Sequence, residues 1–192
     1  MGTELVSTRK IVRLCNSLQL EQDIVYCKAE ILIDNFHNIV WADTEIVSRR
    51  NITKNAALQK DPELALVYLA DFNPSENKRD IFKKMFLLFE AQWLKEWVET
   101  ALEYVRAFSE DGDLYCGILD GELTQTQISA QDRQKANCAG KSSFYRKRTE
   151  AILLFGVAIW GVIVPYWLDL YHLSECRVNK LKVSESYDPN SN

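Results

Sequence analysis

At 192 residues, with a net charge of −4 and a pI near 5.3, the chain has the length of one domain, or of one domain with an appended helical arm. Its 47% hydrophobic and 26% charged residues are the proportions of an ordinary globular protein and suffice for a substantial core. Seven Gly and four Pro, with long runs free of either, weigh against an all-β fold.

The periodicity reads as helix nearly throughout. Leu18, Ile24, Val25, Cys27, Ile31 and Leu32 fall on one helical stripe, with Glu21, Asp23, Lys28 and Glu30 around it. Asp61-Pro62-Glu63 starts a further helix: Asp caps it, Pro occupies the first turn where no N–H is needed, and the acid suits the dipole. Leu64, Val67 and Tyr68 are expected on its apolar face. Asn73-Pro-Ser-Glu-Asn77 interrupts the pattern, with Ser75 available as the next cap. Over 76–108 the apolar residues Ile81, Met85, Leu88, Trp93, Trp97, Ala101, Leu102 and Val105 recur at three and four, predicting one long helix or two nearly collinear ones. Phe82, Phe86, Phe89, Trp93 and Trp97 are read as core rather than as a stacking platform for bases. Glu110-Asp-Gly-Asp113 is a turn, 114–123 a short helix, and 127–137 a polar helix ending at Asn137-Cys-Ala-Gly140. A long helical segment follows over 141–171, in which Pro165 marks a kink or an end. A C-terminal tail covers 176–192, and its end, Tyr187-Asp-Pro-Asn-Ser-Asn192, is expected to be disordered.

Lys141-Ser-Ser-Phe-Tyr-Arg-Lys-Arg148 runs directly into Ala151-Ile-Leu-Leu-Phe-Gly-Val-Ala-Ile-Trp160. Six basic residues and one acid lie over 133–150, a balance of +5 against −9 for the remainder. A compact basic segment on an acidic body is the footprint of a small nucleic-acid reader, or else a solvated helix face. A helix-turn-helix needs two short helices, a tight turn, and a second helix that opens with small, polar and basic side chains. Here 137–140 supplies the turn and 125–150 the unit. Ser142, Ser143, Arg146 and Lys147 lie on one side of the second helix, and Phe144, Ala151 and Phe155 on the other. The expected DNA-contacting set is Lys141, Ser142, Ser143, Tyr145, Arg146, Lys147 and Arg148, with phosphate contacts from Lys141, Arg146 and Arg148.

Ala101-Leu102, Asp111-Gly-Asp-Leu-Tyr-Cys-Gly-Ile-Leu119 and Lys141-Ser-Ser-Phe-Tyr-Arg-Lys-Arg-Thr-Glu-Ala-Ile152 resemble sigma-factor-like regulators of Gram-positive bacteria and their phages, of the ArpU-like type. The resemblance spans about residues 92–160 and implies an all-α domain similar to the sigma-factor region that reads the upstream promoter element. It implies a transcriptional regulator that binds double-stranded DNA, with RNA polymerase as a further partner. The sequence departs from that pattern in the polar run Gln131-Asp-Arg-Gln-Lys135, in Gly140 at the capping position, and in Arg148 at a commonly apolar one. The expected organisation is an N-terminal helical region over 1–90, a sigma-like helix-turn-helix domain with a long C-terminal helix over 91–175, and the tail.

Two other functions compete. Residues 151–168 carry no charge, long enough for a membrane span, and Arg146-Lys-Arg148 gives it a positive flank. Gly156, Gly161 and Pro165 interrupt it, so a core helix is favoured, with Ile152, Phe155, Ile159 and Trp160 covered by Trp93, Trp97, Leu102 and Val105. The second competitor is a helical interaction module that forms homo-oligomers without touching DNA. The chain offers no catalytic constellation, so a non-enzymatic protein without cofactor or metal is expected: His37 and His172 are isolated, no glycine-rich phosphate loop occurs, and no calcium-loop pattern follows Asp111 and Asp113. The five cysteines form no Cys-x-x-Cys pair, and the first residues lack a basic start followed by an apolar run. Reduced thiols and a cytoplasmic location are therefore expected.

Overall fold

A computed structural model describes residues 4–49, 60–124 and 141–171, with side chains over 8–41, 60–124 and 143–171. The described residues are all-α: seven helices and no strand. They are α1 (Glu4–Ser17), α2 (Gln22–Arg49), α3 (Pro62–Asp71), α4 (Lys78–Leu88), α5 (Ala91–Phe108), α6 (Gly112–Leu123) and α7 (Lys141–Ala158). A wide π turn over Ile159–Ile163 carries α7 onward through 164–171.

Local chemistry sets the boundaries. α1 and α2 part at Gln19, whose φ of 56° is the chain's one left-handed non-glycine residue among those described. Leu18 and Ile24 consequently leave the expected stripe and stay well exposed, as does Cys27, while Val25, Ile31 and Leu32 are buried. Asp61 caps α3 as expected, its carboxylate accepting from the N–H groups of Glu63 at 2.9 Å and Leu64 at 3.4 Å. The face of α3 differs from expectation: Ala65, Leu66 and Leu69 turn inward, while Leu64 and Val67 face out. With nearly every position of that helix apolar, periodicity alone leaves its buried side undecided. Asn77, not Ser75, caps α4, accepting from the Arg79 N–H at 2.9 Å, while the Ser75 N–H closes a turn on Asn73.

The run over 76–108 is two helices broken at Phe89 and Glu90, both extended. Burial of the Phe89 ring, edge-on to Trp97 at 6.0 Å, holds the break. Lys60 Nζ satisfies the carbonyl exposed there, donating to Phe89 O at 2.5 Å. Ile81, Met85, Trp97, Ala101 and Val105 are buried as expected, Leu88, Trp93 and Leu102 half-buried, and Leu94 and Val98 join them. α6 starts two residues earlier than expected, at Gly112, where a Cβ would lie 2.1 Å from the Arg106 carbonyl oxygen.

α7 is the central element, packing against α1, α2, α5 and α6, and most extensively against α2. Gly156 makes the α2 contact possible: a Cβ there would sit 2.7 Å from Val25 Cγ1 and 3.0 Å from the Val25 carbonyl oxygen. Pro165 neither ends the helix nor stands in a regular one. Proline removes one N–H and clashes with the carbonyl four residues earlier, and the π turn just before it, where the Val164 N–H reaches back to Ile159 O, absorbs that misfit. Ile152, Phe155, Ile159 and Trp160 are buried as expected, and the Trp160 indole N–H donates to Leu69 O at 2.8 Å. Ser143–Tyr171 is long and apolar enough to cross a membrane by composition, yet most of it is enclosed by the protein's own helices.

One core runs from Ile11 to Val164 through every described helix. The core joins residues on both sides of position 90, since the apolar face of α2 packs chiefly on α7 and further on α5, α6 and α4. Residues 125–140, where the polar helix and its turn at 137–140 were expected, and the tail 176–192 lie outside the described residues.

Candidate nucleic-acid interface

Over its first three turns α7 divides into an outward and an inward ridge. Tyr145, Arg146 and Thr149 are exposed, Ser143 and Phe144 half-buried, and Lys147, Glu150 and Ala151 buried. Lys141 and Ser142 stand in the first turn of the helix. The expected opposition holds for Phe144, Ala151 and Phe155, all packed into or against the core.

Lys147 departs from the expected contact set. Its side chain is 8% exposed, and its ammonium lies 2.8 Å from Asp111 Oδ2 and 3.5 Å from Glu150 Oε2. It also stands over the Tyr115 ring, 5.4 Å from the centroid. Burial works against its charge, but the hydrogen bond to Asp111 and the negative charges of Glu150 and Asp111 outweigh it, so the ammonium is held above its ordinary range. Glu150, 4% exposed, is saturated in turn: the Tyr115 hydroxyl donates to Oε2 at 2.9 Å and the Thr8 hydroxyl to Oε1. A single buried charge cluster thus ties α7 to α1, to α6 and to the turn before α6.

Arg148 is likewise committed to the protein. Its Nε and Nη2 grip the two oxygens of Glu122 at 2.8 and 3.0 Å, and its Nη1 reaches Glu30 Oε1 at 3.4 Å. The Tyr26 hydroxyl donates to the same Glu30 oxygen at 3.1 Å. The Glu122 hydrogen bonds raise the guanidinium further above its already high range, more than burial lowers it. Arg148 thereby bolts α7 to α6 and α2. The partners of both cations were not legible from sequence, since Asp111 lies 36 residues from Lys147, and Glu122 and Glu30 lie 26 and 118 residues from Arg148. One signal was available: Glu150 stands three residues after Lys147, on the face that continues into the apolar stripe.

Of the seven expected contact residues, the structure thus places Tyr145 and Arg146 outward, Ser143 at the margin, and Lys147 and Arg148 inward. Among the described residues no group of His, Cys, Asp and Glu has the arrangement to hold a metal ion. Cys15 and Cys116 are buried, and Cys15, Cys27 and Cys116 are all unbridged. A scan of protein-family models, a search of curated proteins and a search of solved structures each returned no significant match to this chain.

Proposed function

We propose that the chain is a DNA-binding transcriptional regulator of the sigma-factor-like type, and that the opening turns of α7 form its recognition element. The observation that carries this is the division of labour within Lys141-Ser-Ser-Phe-Tyr-Arg-Lys-Arg148: Tyr145 and Arg146 face solvent, while the two cations after them hold the helix down at its α1, α2 and α6 sides. A helix that enters a groove needs a rigid mount as well as contact groups, because base readout depends on fixed geometry. The contact set is accordingly Lys141, Ser142, Ser143, Tyr145 and Arg146, with Lys147 and Arg148 as struts. The helix-turn-helix over 125–150, with its turn at 137–140, belongs to this proposal, as does contact with RNA polymerase. No catalytic residue is assigned.

Labelled duplex fragments of the source genome, titrated with the protein at low salt, test it. Specific binding is expected, weakening steeply with salt. Arg146→Ala, if its guanidinium reads a guanine edge, loses about 1–3 kcal/mol and relaxes preference at one base pair. Absence of duplex binding at low salt would overturn the proposal.

A second function, self-association without DNA, is favoured by Tyr166 and Leu170, which are 62% and 43% exposed four residues apart on the last turns of the helix. A concentration-dependent mass in solution that Tyr166→Ser with Leu170→Ser abolishes would support it.

A further inference from the structure

α1 is basic on its outer face and flanks the helix proposed to enter DNA. Thr8 bonds Glu150, and ten residues on, Leu18 touches the Cβ position of Gly161, eleven residues after Glu150. α1 therefore runs parallel to α7, turn beside turn. Ile11 and Cys15 are fully buried on its inner side, while Arg9, Lys10 and Arg13 are exposed. Arg9 and Arg13 share one row at i and i+4, with Lys10 on the next. The two helices are level at Thr8 and Glu150, which puts Arg9 and Lys10 level with Ala151 and Ile152, just past the turn of α7 that carries Arg146 and Thr149. Residues 8–20 contain three basic residues and no acid, in a chain whose overall charge is −4. None of the three makes an ion pair among the described residues, whereas Lys147 and Arg148 are both neutralised by carboxylates. Arg9, Lys10 and Arg13 of α1 thus add three exposed cations to Arg146 of α7.

From this we infer that Arg9, Lys10 and Arg13 form a phosphate-contacting ridge for double-stranded DNA, positioning the duplex while the start of α7 meets the groove. The inference rests on the proposed function above. Contacts to phosphate fix register and carry no sequence information, which suits a row of long, exposed cations standing beside a recognition helix rather than within it. Duplex DNA is favoured over a lipid surface because the ridge lacks the adjoining apolar face that an interfacial helix buries: the apolar side of α1 is already in the core.

The test compares the full chain with the triple variant Arg9→Gln, Lys10→Gln, Arg13→Gln. Binding is read by anisotropy of a labelled duplex over a salt series. Each phosphate contact contributes about 0.9 to the slope of log affinity against log salt, so the triple variant should reduce that slope by about 2–3. Binding should weaken alike on specific and mixed-sequence duplexes. The variant Arg9→Lys with Arg13→Lys, which keeps the charge, should hold the parent slope, and the thermal melt of both variants should match the parent because the replaced side chains are exposed. If the parent binds duplex and the triple variant keeps its slope, this inference falls and the proposed function stands. If the parent binds no duplex at low salt, both fall. Binding of the parent to phosphatidylserine vesicles in place of duplex, lost in the triple variant, would also overturn it in favour of a membrane surface.

Discussion

Lys147 and Asp111 are 36 residues apart in sequence and 2.8 Å apart in space, and their contact closes the turn before α6 onto the first half of α7. The ammonium has Glu150 as a second partner at 3.5 Å, and both residues of that pair are nearly inaccessible to water. Burying two charges is costly, and such a pair is tolerated when further hydrogen bonds support it, as those of the Tyr115 and Thr8 hydroxyls to Glu150 do here.

Removal of one member should therefore be far worse than removal of both. Lys147→Met leaves the Glu150 carboxylate buried without a cation, for which roughly 3–5 kcal/mol is the usual cost. The double variant Lys147→Met, Glu150→Gln removes the buried charge, its amide oxygen accepting from one of the two hydroxyls while its NH2 can donate to the other, and should recover much of that loss. Urea unfolding of the three proteins decides it; a double variant no more stable than Lys147→Met would show that the cluster does not depend on charge balance.

Phe155 is fully buried in the middle of α7, where the helices of both halves of the chain meet. Phe155→Ala should destabilise the protein by roughly 3–5 kcal/mol through lost transfer energy and a cavity. Chemical denaturation without detergent is the measurement, and a change under 1 kcal/mol would mean that lipid or another chain covers this residue instead.

Two glycines should respond in opposite senses to the same added methyl group. At Gly156 the new carbon meets Val25 Cγ1 at 2.7 Å and the Val25 carbonyl at 3.0 Å, neither of which lies at the end of a long side chain. Gly156→Ala should push α2 from α7 and cost about 1–3 kcal/mol. At Gly117, inside α6 and exposed, nothing lies within 4 Å, so Gly117→Ala should stabilise by about 0.5–1 kcal/mol. Thermal melts of both single variants check the pair, and equal signs would refute the packing described.

These cases show what the sequence made legible and what it did not. Helical class, the Asp61 cap and the burial of Phe155 and Trp160 follow from period, cap chemistry and apolar mass, all local properties. The orientation of α3, the break at Phe89 and the persistence of α7 past Pro165 depend on neighbours far along the chain. At the candidate interface the residue types in Arg146-Lys-Arg148 are nearly identical, and the positions of Asp111, Glu122, Glu30 and Glu150 draw Lys147 and Arg148 inward. A charge cluster in sequence locates a surface only after its internal carboxylates are known.

Lys28 and Lys147 are both buried lysines, yet they should respond oppositely to alkaline pH. Lys28 donates to Ala70 O at 2.6 Å and stands over the Phe72 and Trp160 rings, but no carboxylate among the described residues is bonded to it; burial lowers its pKa from the ordinary 10.5, more than the charge of Asp71 raises it. In the window between that depressed value and 10.5 the unfolded chain holds the proton and the folded chain does not, so stability rises with pH there. For Lys147 the folded value lies above 10.5, so its contribution is fully present below 10.5 and is lost as pH climbs through the folded value. Referred to Lys28→Met, the parent should therefore gain stability as pH approaches 10.5. Referred to Lys147→Met, its advantage should hold constant to about pH 10.5 and shrink beyond it. Urea midpoints for the three proteins from pH 7 to 11.5 measure both differences, with titrations elsewhere in the chain cancelling. Parallel drifts of the two would mean that the carboxylates around Lys147 do not distinguish it from a lysine buried by apolar and carbonyl groups alone.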